Sequence, residues 1–179
     1  VDASAVEIAK LRLWLSLVVD EEHVKQIKPL PNLDYKIVTG SSLTKVEATL
    51  FNADLFRQME TLKQKLFDES DHETKADYKR QIESVIHKLT NGLQTFDYHI
   101  YFSEVFRATA GFDVVIANPP YISYGLRGGQ KMSKEDKEYL KQEFADSAEY
   151  KISMYAIFME LGVRIARSKG GVSCFIVPD

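Results

Sequence analysis

One stretch of this 179-residue chain combines residue types suited to chemistry: Asn118-Pro119-Pro120-Tyr121. Two prolines remove two backbone N–H donors and hold the residues before them in extended shapes. The loop is therefore stiff, and its carbonyls meet no competing donor within the tetrapeptide. Asn118 adds a side-chain carbonyl acceptor, and Tyr121 adds a flat face that can stack on a heterocycle. Two acceptors on a rigid loop suit a planar NH2 group, such as a base amine or a side-chain amide. Such a nitrogen is a poor nucleophile because its lone pair is delocalised. Acceptors on both N–H bonds favour the pyramidal form with a localised lone pair, and they stabilise the charge that develops as it attacks. The plainer reading makes Pro-Pro a rigid strand exit and Tyr121 a core aromatic.

The elements around the tetrapeptide favour the chemical reading. Gly111-Phe112-Asp113-Val114-Val115-Ile116-Ala117 is a nearly continuous apolar run, which predicts a strand buried on both faces and ending at Asn118. Ligands in open α/β sheets sit beyond the carboxyl ends of strands, where the tetrapeptide falls. A loop bearing Gly125, Gly128 and Gly129 follows, then a charged helix over about 133–143. An apolar helix over about 152–167 has Ile152, Tyr155, Phe158, Met159, Gly162 and Ile165 spaced for one buried face. Gly170-Gly171 ends it, and Val172 to Val177 reads as another buried strand that contains Cys174 as a small core residue.

Upstream, Asp2 or Ser4 can cap a helix over about 3–19, whose wide apolar face suits packing on a sheet. Tyr35-Lys36-Ile37-Val38-Thr39 reads as a short strand ending at the turn Gly40-Ser41-Ser42. From Asn52, Leu55, Met59, Leu62 and Leu66 recur at helical spacing, and Tyr78, Ile82, Val85 and Leu89 repeat the pattern. With the polar stretch 68–72 between them, they predict an antiparallel helical hairpin. Residues 57–88 carry seven basic and seven acidic side chains, so the hairpin's outer face reads as solvated. Helices alternating with apolar strands predict an α/β layered domain with a mostly parallel sheet, and the hairpin is an insertion within it.

The composition sets bounds. An apolar fraction of 45% excludes a disordered chain, and a net charge of −3 excludes a polyelectrolyte tail and gives no support to nucleic-acid binding. One cysteine excludes a disulfide scaffold and a cysteine zinc site, and suits a reducing cytoplasm. The run Leu11–Val19, interrupted by Arg12 and Ser16, is too short to span a membrane. His23, His72, His87 and His99 have no metal-ligand spacing, so no metal is expected. Asp113 reads as binding local backbone. Lys131, Lys134, Lys137 and Lys141 follow the tetrapeptide loop with three acids among them and Glu143 just after, and both phosphate contact and a solvated face stay open.

Phe112 to Tyr121, with Ile122, resembles motif IV of the S-adenosylmethionine-dependent amino-methyltransferases. The whole chain resembles the N6-adenine DNA methyltransferases of type II restriction–modification systems, above all those of type IIG that fuse nuclease, methyltransferase and target recognition. Val1-Asp2-Ala3-Ser4 and the residues to Leu13 resemble the family's acidic strand end and following helix. Pro31 to Ile37 leads to Gly40-Ser41-Ser42-Leu43, placed like the segment that contacts the cofactor's adenine. Met154 to Glu160 resembles the helix after the catalytic loop, and Gly170 to Pro178 the strand after it.

This resemblance implies an incomplete Rossmann-like methyltransferase fold over 1–179, with a hairpin inserted over 52–97 and a first strand and glycine-rich loop upstream. It implies double-stranded DNA as partner, with the target adenine flipped out of the stack. Asn118 and the Pro119 carbonyl would hold N6, Pro120 would stiffen the loop, and Tyr121 would stack on the base. Val1, Asp2, Ser41, Ser42 and Asn118 would face S-adenosylmethionine. Ser41 departs from the Asp or Asn usual in such families. A chain starting on a strand end reads as a piece of a longer, cytoplasmic, bacterial-type protein, expected to bind cofactor weakly or not at all by itself. The rival enzyme is a protein-glutamine methyltransferase acting on release factors, or an RNA methyltransferase. The non-enzymatic rival is a methyltransferase-like scaffold.

Overall fold

The structure is a computed structural model that describes residues 3–19, 33–43, 52–90, 96–124, 131–149 and 152–177. The chain divides into two compact units, Val1–Ser103 and Glu104–Asp179.

The first unit is organised by the hairpin. Helices α2 (Ala53–Asp68) and α3 (His72–Leu89) each have one apolar stripe at three- and four-residue spacing, and these stripes meet. Met59, Leu62 and Leu66 pack with Ile82, Val85, Leu89 and Ile100 into one buried cluster. The short link carries its own start signal, since Asp71 accepts a hydrogen bond from Thr74 N at 2.8 Å and caps α3. Two short helices follow that the spacing does not predict, α4 (Tyr98–Tyr101) in this unit and α5 (Ser103–Thr109), which opens the second unit. Asp97 caps the first by accepting from His99 N and Ile100 N.

Helix α1 (Ala3–Val18) forms where expected. Ser4 lies inside it rather than at its cap, and Asp2 is outside the described residues. The apolar face expected to pack on a sheet stays exposed at Ile8, Leu11, Leu13, Leu15 and the following Val19. The expected strand Tyr35–Thr39 is not one. Lys36 N and Ile37 N both donate to Leu33 O, and Tyr35 takes a φ of 63°, so the chain turns where a strand would extend.

In the second unit, β1 (Val114–Ala117) and β4 (Val172–Phe175) pair in parallel, with Val114 opposite Val172 and Ala117 opposite Phe175. A second pair, β2 (Ser123–Tyr124) and β3 (Ile152–Ser153), is antiparallel. Helix α6 (Lys134–Glu143) starts at the Ser133 cap, and α7 (Met154–Ile165) follows β3 directly. The spacing predicts this helix from about residue 152, but Ile152 belongs to the strand pair and the helix starts at Met154. Helix α7 packs on β1 and β4 with Gly162 at the contact. A Cβ there would lie 2.2 Å from Phe175 Cζ, so only a residue without a side chain admits the ring.

Burial corrects the sequence reading in one respect. β1 and β4 were expected to be covered on both faces, yet Val114 (56%), Ile116 (77%) and Val172 (58%) are exposed. Cys174, expected in the core, is exposed with them. Side chains alternate along a strand, and α7 covers the face that carries Phe175 while the other face is bare among the described residues. On α7 itself Ile157, Gly162 and Ile165 are buried, Tyr155 and Phe158 are half-buried, and Met159 faces out.

Candidate active site

The parallel ladder delivers Asn118 to the carboxyl end of β1. One further bond, Ile176 N to Ala117 O at 3.1 Å, carries the pairing one step past β4. The tetrapeptide then folds back over that end. Tyr121 donates its hydroxyl proton to Ile176 O at 3.0 Å, and the tyrosine hydroxyl oxygen also lies 3.2 Å from Asn118 Oδ1. A hydroxyl has one proton to give, so the shorter contact takes most of it. Asn118 Oδ1 therefore keeps acceptor capacity for another donor. Pro119 is buried, while Asn118, Pro120 and Tyr121 are exposed, with Tyr121 showing 52% of its surface. The buried proline anchors the loop, and its neighbours present an amide and an aromatic ring.

The far side of the loop is fixed as well. Met154 N, in the first turn of α7, donates to Ile122 O at 2.9 Å, next to the pairing of Ser123 with Ser153. Helix α7 is held in turn by Glu160, which accepts from Ser147 N at 3.0 Å, from the Ser147 hydroxyl and from Arg164. The Arg164 guanidinium lies 5.1 Å from the centre of the Phe144 ring. Asp113, expected to bind local backbone, instead pairs with Arg167 Nη1 at 2.8 Å and ties the start of β1 to the chain after α7.

The structure thus brings Asn118, Pro119, Pro120 and Tyr121 together with Ile176, which the sequence reading missed. The only signal for Ile176 is its place one residue past the strand paired with β1, and that depends on register. Ser41, exposed, and Ser42, half-buried, belong to the first unit. Val1, Asp2 and the loop with Gly125, Gly128 and Gly129 lie outside the described residues. Lys131, Lys134, Lys137 and Lys141 are all exposed. Among the described residues no group of three His, Cys, Asp or Glu side chains is placed to hold a metal, and no helix is long and apolar enough to cross a membrane.

No curated protein and no solved structure matches the chain. A family model does: it carries the description Eco57I restriction-modification methylase and matches residues 1–179. A match from end to end covers the strand-end tetrapeptide, the helix that braces it and the hairpin alike. The mixed α/β architecture with its short parallel sheet is compatible with a methyltransferase. The chain accordingly belongs to the Eco57I restriction-modification methylase family.

Proposed function

We propose that this chain is the catalytic part of an enzyme that methylates N6 of adenine in DNA, with S-adenosylmethionine as methyl donor. Membership of the family already makes it a methylase acting on DNA in restriction–modification. The finer reading is carried by one observation: Asn118 and Tyr121 stand exposed on a stiff loop at the end of β1, with the tyrosine hydroxyl engaged by Ile176 O and the Asn118 carbonyl left with acceptor capacity.

N6 of adenine cannot be approached inside the base stack, so the target nucleotide is extruded and read outside it. The exposed Tyr121 ring offers the stacking face that offsets part of the lost base stacking. Asn118 Oδ1 and the Pro119 carbonyl accept the two N6 hydrogens. That arrangement withdraws the nitrogen lone pair from the ring and directs it away from the acceptors. It also stabilises the positive charge that builds on N6 during attack. The proton that N6 sheds leaves along its hydrogen bond to Asn118 and passes to water. When bound, the cofactor supplies an electrophilic methyl on a sulfonium, whose sulfur keeps the electron pair of the broken bond. The hydroxyls of Ser41 and Ser42 are chemically suited to the edge of its adenine, and Val1 and Asp2 complete the proposed contacts. Fusion to a nuclease, as in type IIG enzymes, belongs to the same reading.

The test is methylation of DNA by the whole protein, with N6-methyladenine identified in the product nucleosides. Asn118→Ala is expected to lower kcat by about 10²–10³-fold, the scale for loss of one preorganised polar partner at a reacting centre. A variant that methylates at the wild-type rate, or a wild-type product methylated on cytosine, overturns the reading.

A further inference from the structure

The segment that carries Ser41 and Ser42 is held at three points, all within the first unit. Asp34 lies between two lysines from different helices: Lys10 Nζ of α1 is 2.6 Å from Oδ1, and Lys79 Nζ of α3 is 2.6 Å from Oδ2. Lys10 also reaches Glu7 at 2.8 Å. Tyr35, next in sequence, turns with a positive φ and packs its half-buried ring against the hairpin core. Gly40 meets Phe96 so closely that a Cβ there would lie 2.2 Å from Phe96 Cβ. Phe96 is itself buried and packed on Tyr98 and Tyr101, with ring centres 4.8 and 5.1 Å away.

The three points have different chemistry. The contacts at Tyr35 and Gly40 are packing, which tolerates small rotations of the segment. The carboxylate is the directional one, because two ammonium groups approach its two oxygens separately. Asp34 and Lys10 are largely shielded, with 25% and 15% of their side chains exposed, while 43% of the Lys79 side chain is exposed. Removing the charge would also leave Lys10 and Lys79 facing each other with less to hold them together, pushing α1 away from α3.

We propose that Asp34 is a positioning residue for cofactor binding: by joining α1 to α3 it fixes segment 33–43 on the helical hairpin and so sets where Ser41 and Ser42 present their hydroxyls. The inserted hairpin then acts as the brace of the cofactor's adenine site. This rests on the reading that Ser41 and Ser42 face the cofactor, and it adds a residue and an element that the tetrapeptide does not involve.

The experiment uses the whole protein as wild type, Asp34→Asn, Asp34→Glu and Lys79→Met. Calorimetry with S-adenosylhomocysteine gives Kd, and methylation kinetics give KM for the cofactor and kcat. Asp34→Asn is expected to raise Kd and KM about tenfold with kcat within about twofold, the pattern of lost ground-state binding. Asp34→Glu should recover most of that loss, and Lys79→Met should shift both constants in the same direction by less. If Asp34→Asn fails to fold, the Lys79→Met and Asp34→Glu constants decide. Unchanged Kd and KM, or a fall in kcat and thermal midpoint without a change in either, overturn the proposal. A wild-type protein that binds no cofactor overturns it together with the functional reading. One that binds cofactor but leaves adenine unmethylated overturns only the reaction, and the Kd ratio still decides the role of Asp34.

Discussion

At the scale of single residues, Tyr121 has two separable parts. Its ring is the proposed stacking face, and its hydroxyl is bonded to Ile176 O. Tyr121→Phe keeps the ring and removes that bond, so it is expected to cost about 0.5–1.5 kcal/mol of stability in denaturant unfolding, the usual net worth of one hydrogen bond. Base extrusion, followed by the fluorescence of 2-aminopurine placed at the target position, should survive in Tyr121→Phe and fail in Tyr121→Ala. Equal loss in both would assign recognition to the hydroxyl instead. The tetrapeptide was legible in the sequence because Asn-Pro-Pro-Tyr after an apolar run has little use in packing. Ile176 was not, since its carbonyl is 55 residues away and reaches Tyr121 only through the register of two strands. The partners of Asp34 were hidden for a similar reason: Lys10 and Lys79 look like any surface lysines until three segments are brought together.

At the scale of elements, the hairpin is the part the sequence specified best. Spacings of three and four at Met59, Leu62 and Leu66 leave no other regular structure that buries them all together. Leu66→Ala is therefore expected to cost about 2–5 kcal/mol, the range for emptying a close-packed leucine site, and to lower the denaturant midpoint accordingly. At the other contact between elements, Gly162→Ala puts a methyl against the Phe175 ring and is expected to cost about 1–3 kcal/mol by overpacking. Segment 35–39 shows where pattern fails. Tyr-Lys-Ile-Val-Thr has the residue types of a strand, but the turn closed on Leu33 O and the anchoring of Asp34 override them. The run from Val114 to Ala117 misled in another way. A continuous apolar stretch signals cover on both faces, whereas α7 supplies cover on one.

For the molecule as a whole, the charges around Asp34 set a pH window. Burial raises the Asp34 carboxyl, but hydrogen bonds from Lys10 and Lys79 outweigh this and hold it below its ordinary 3.8. A lowered carboxyl adds stability that is complete above its unfolded value and lost as pH falls through the folded one. Burial lowers Lys10, but its bonds to Asp34 and Glu7 prevail and raise it above 10.5. Its contribution is complete below the unfolded value and lost as pH rises through the folded one. The contribution of this ion pair to the thermal midpoint should thus be flat between roughly pH 4.5 and 10 and fall on either side, and Asp34→Asn should blunt the acid fall. A midpoint that drops equally in both proteins below that window would remove Asp34 from the account. The exposed face of the sheet has a further consequence. Cys174 is the chain's only thiol and stands on that face beside Ile116. The molecule therefore carries its own chemical reporter: a maleimide should modify this chain quickly at a single atom, and whatever covers the sheet in a larger assembly will register as a slower reaction there.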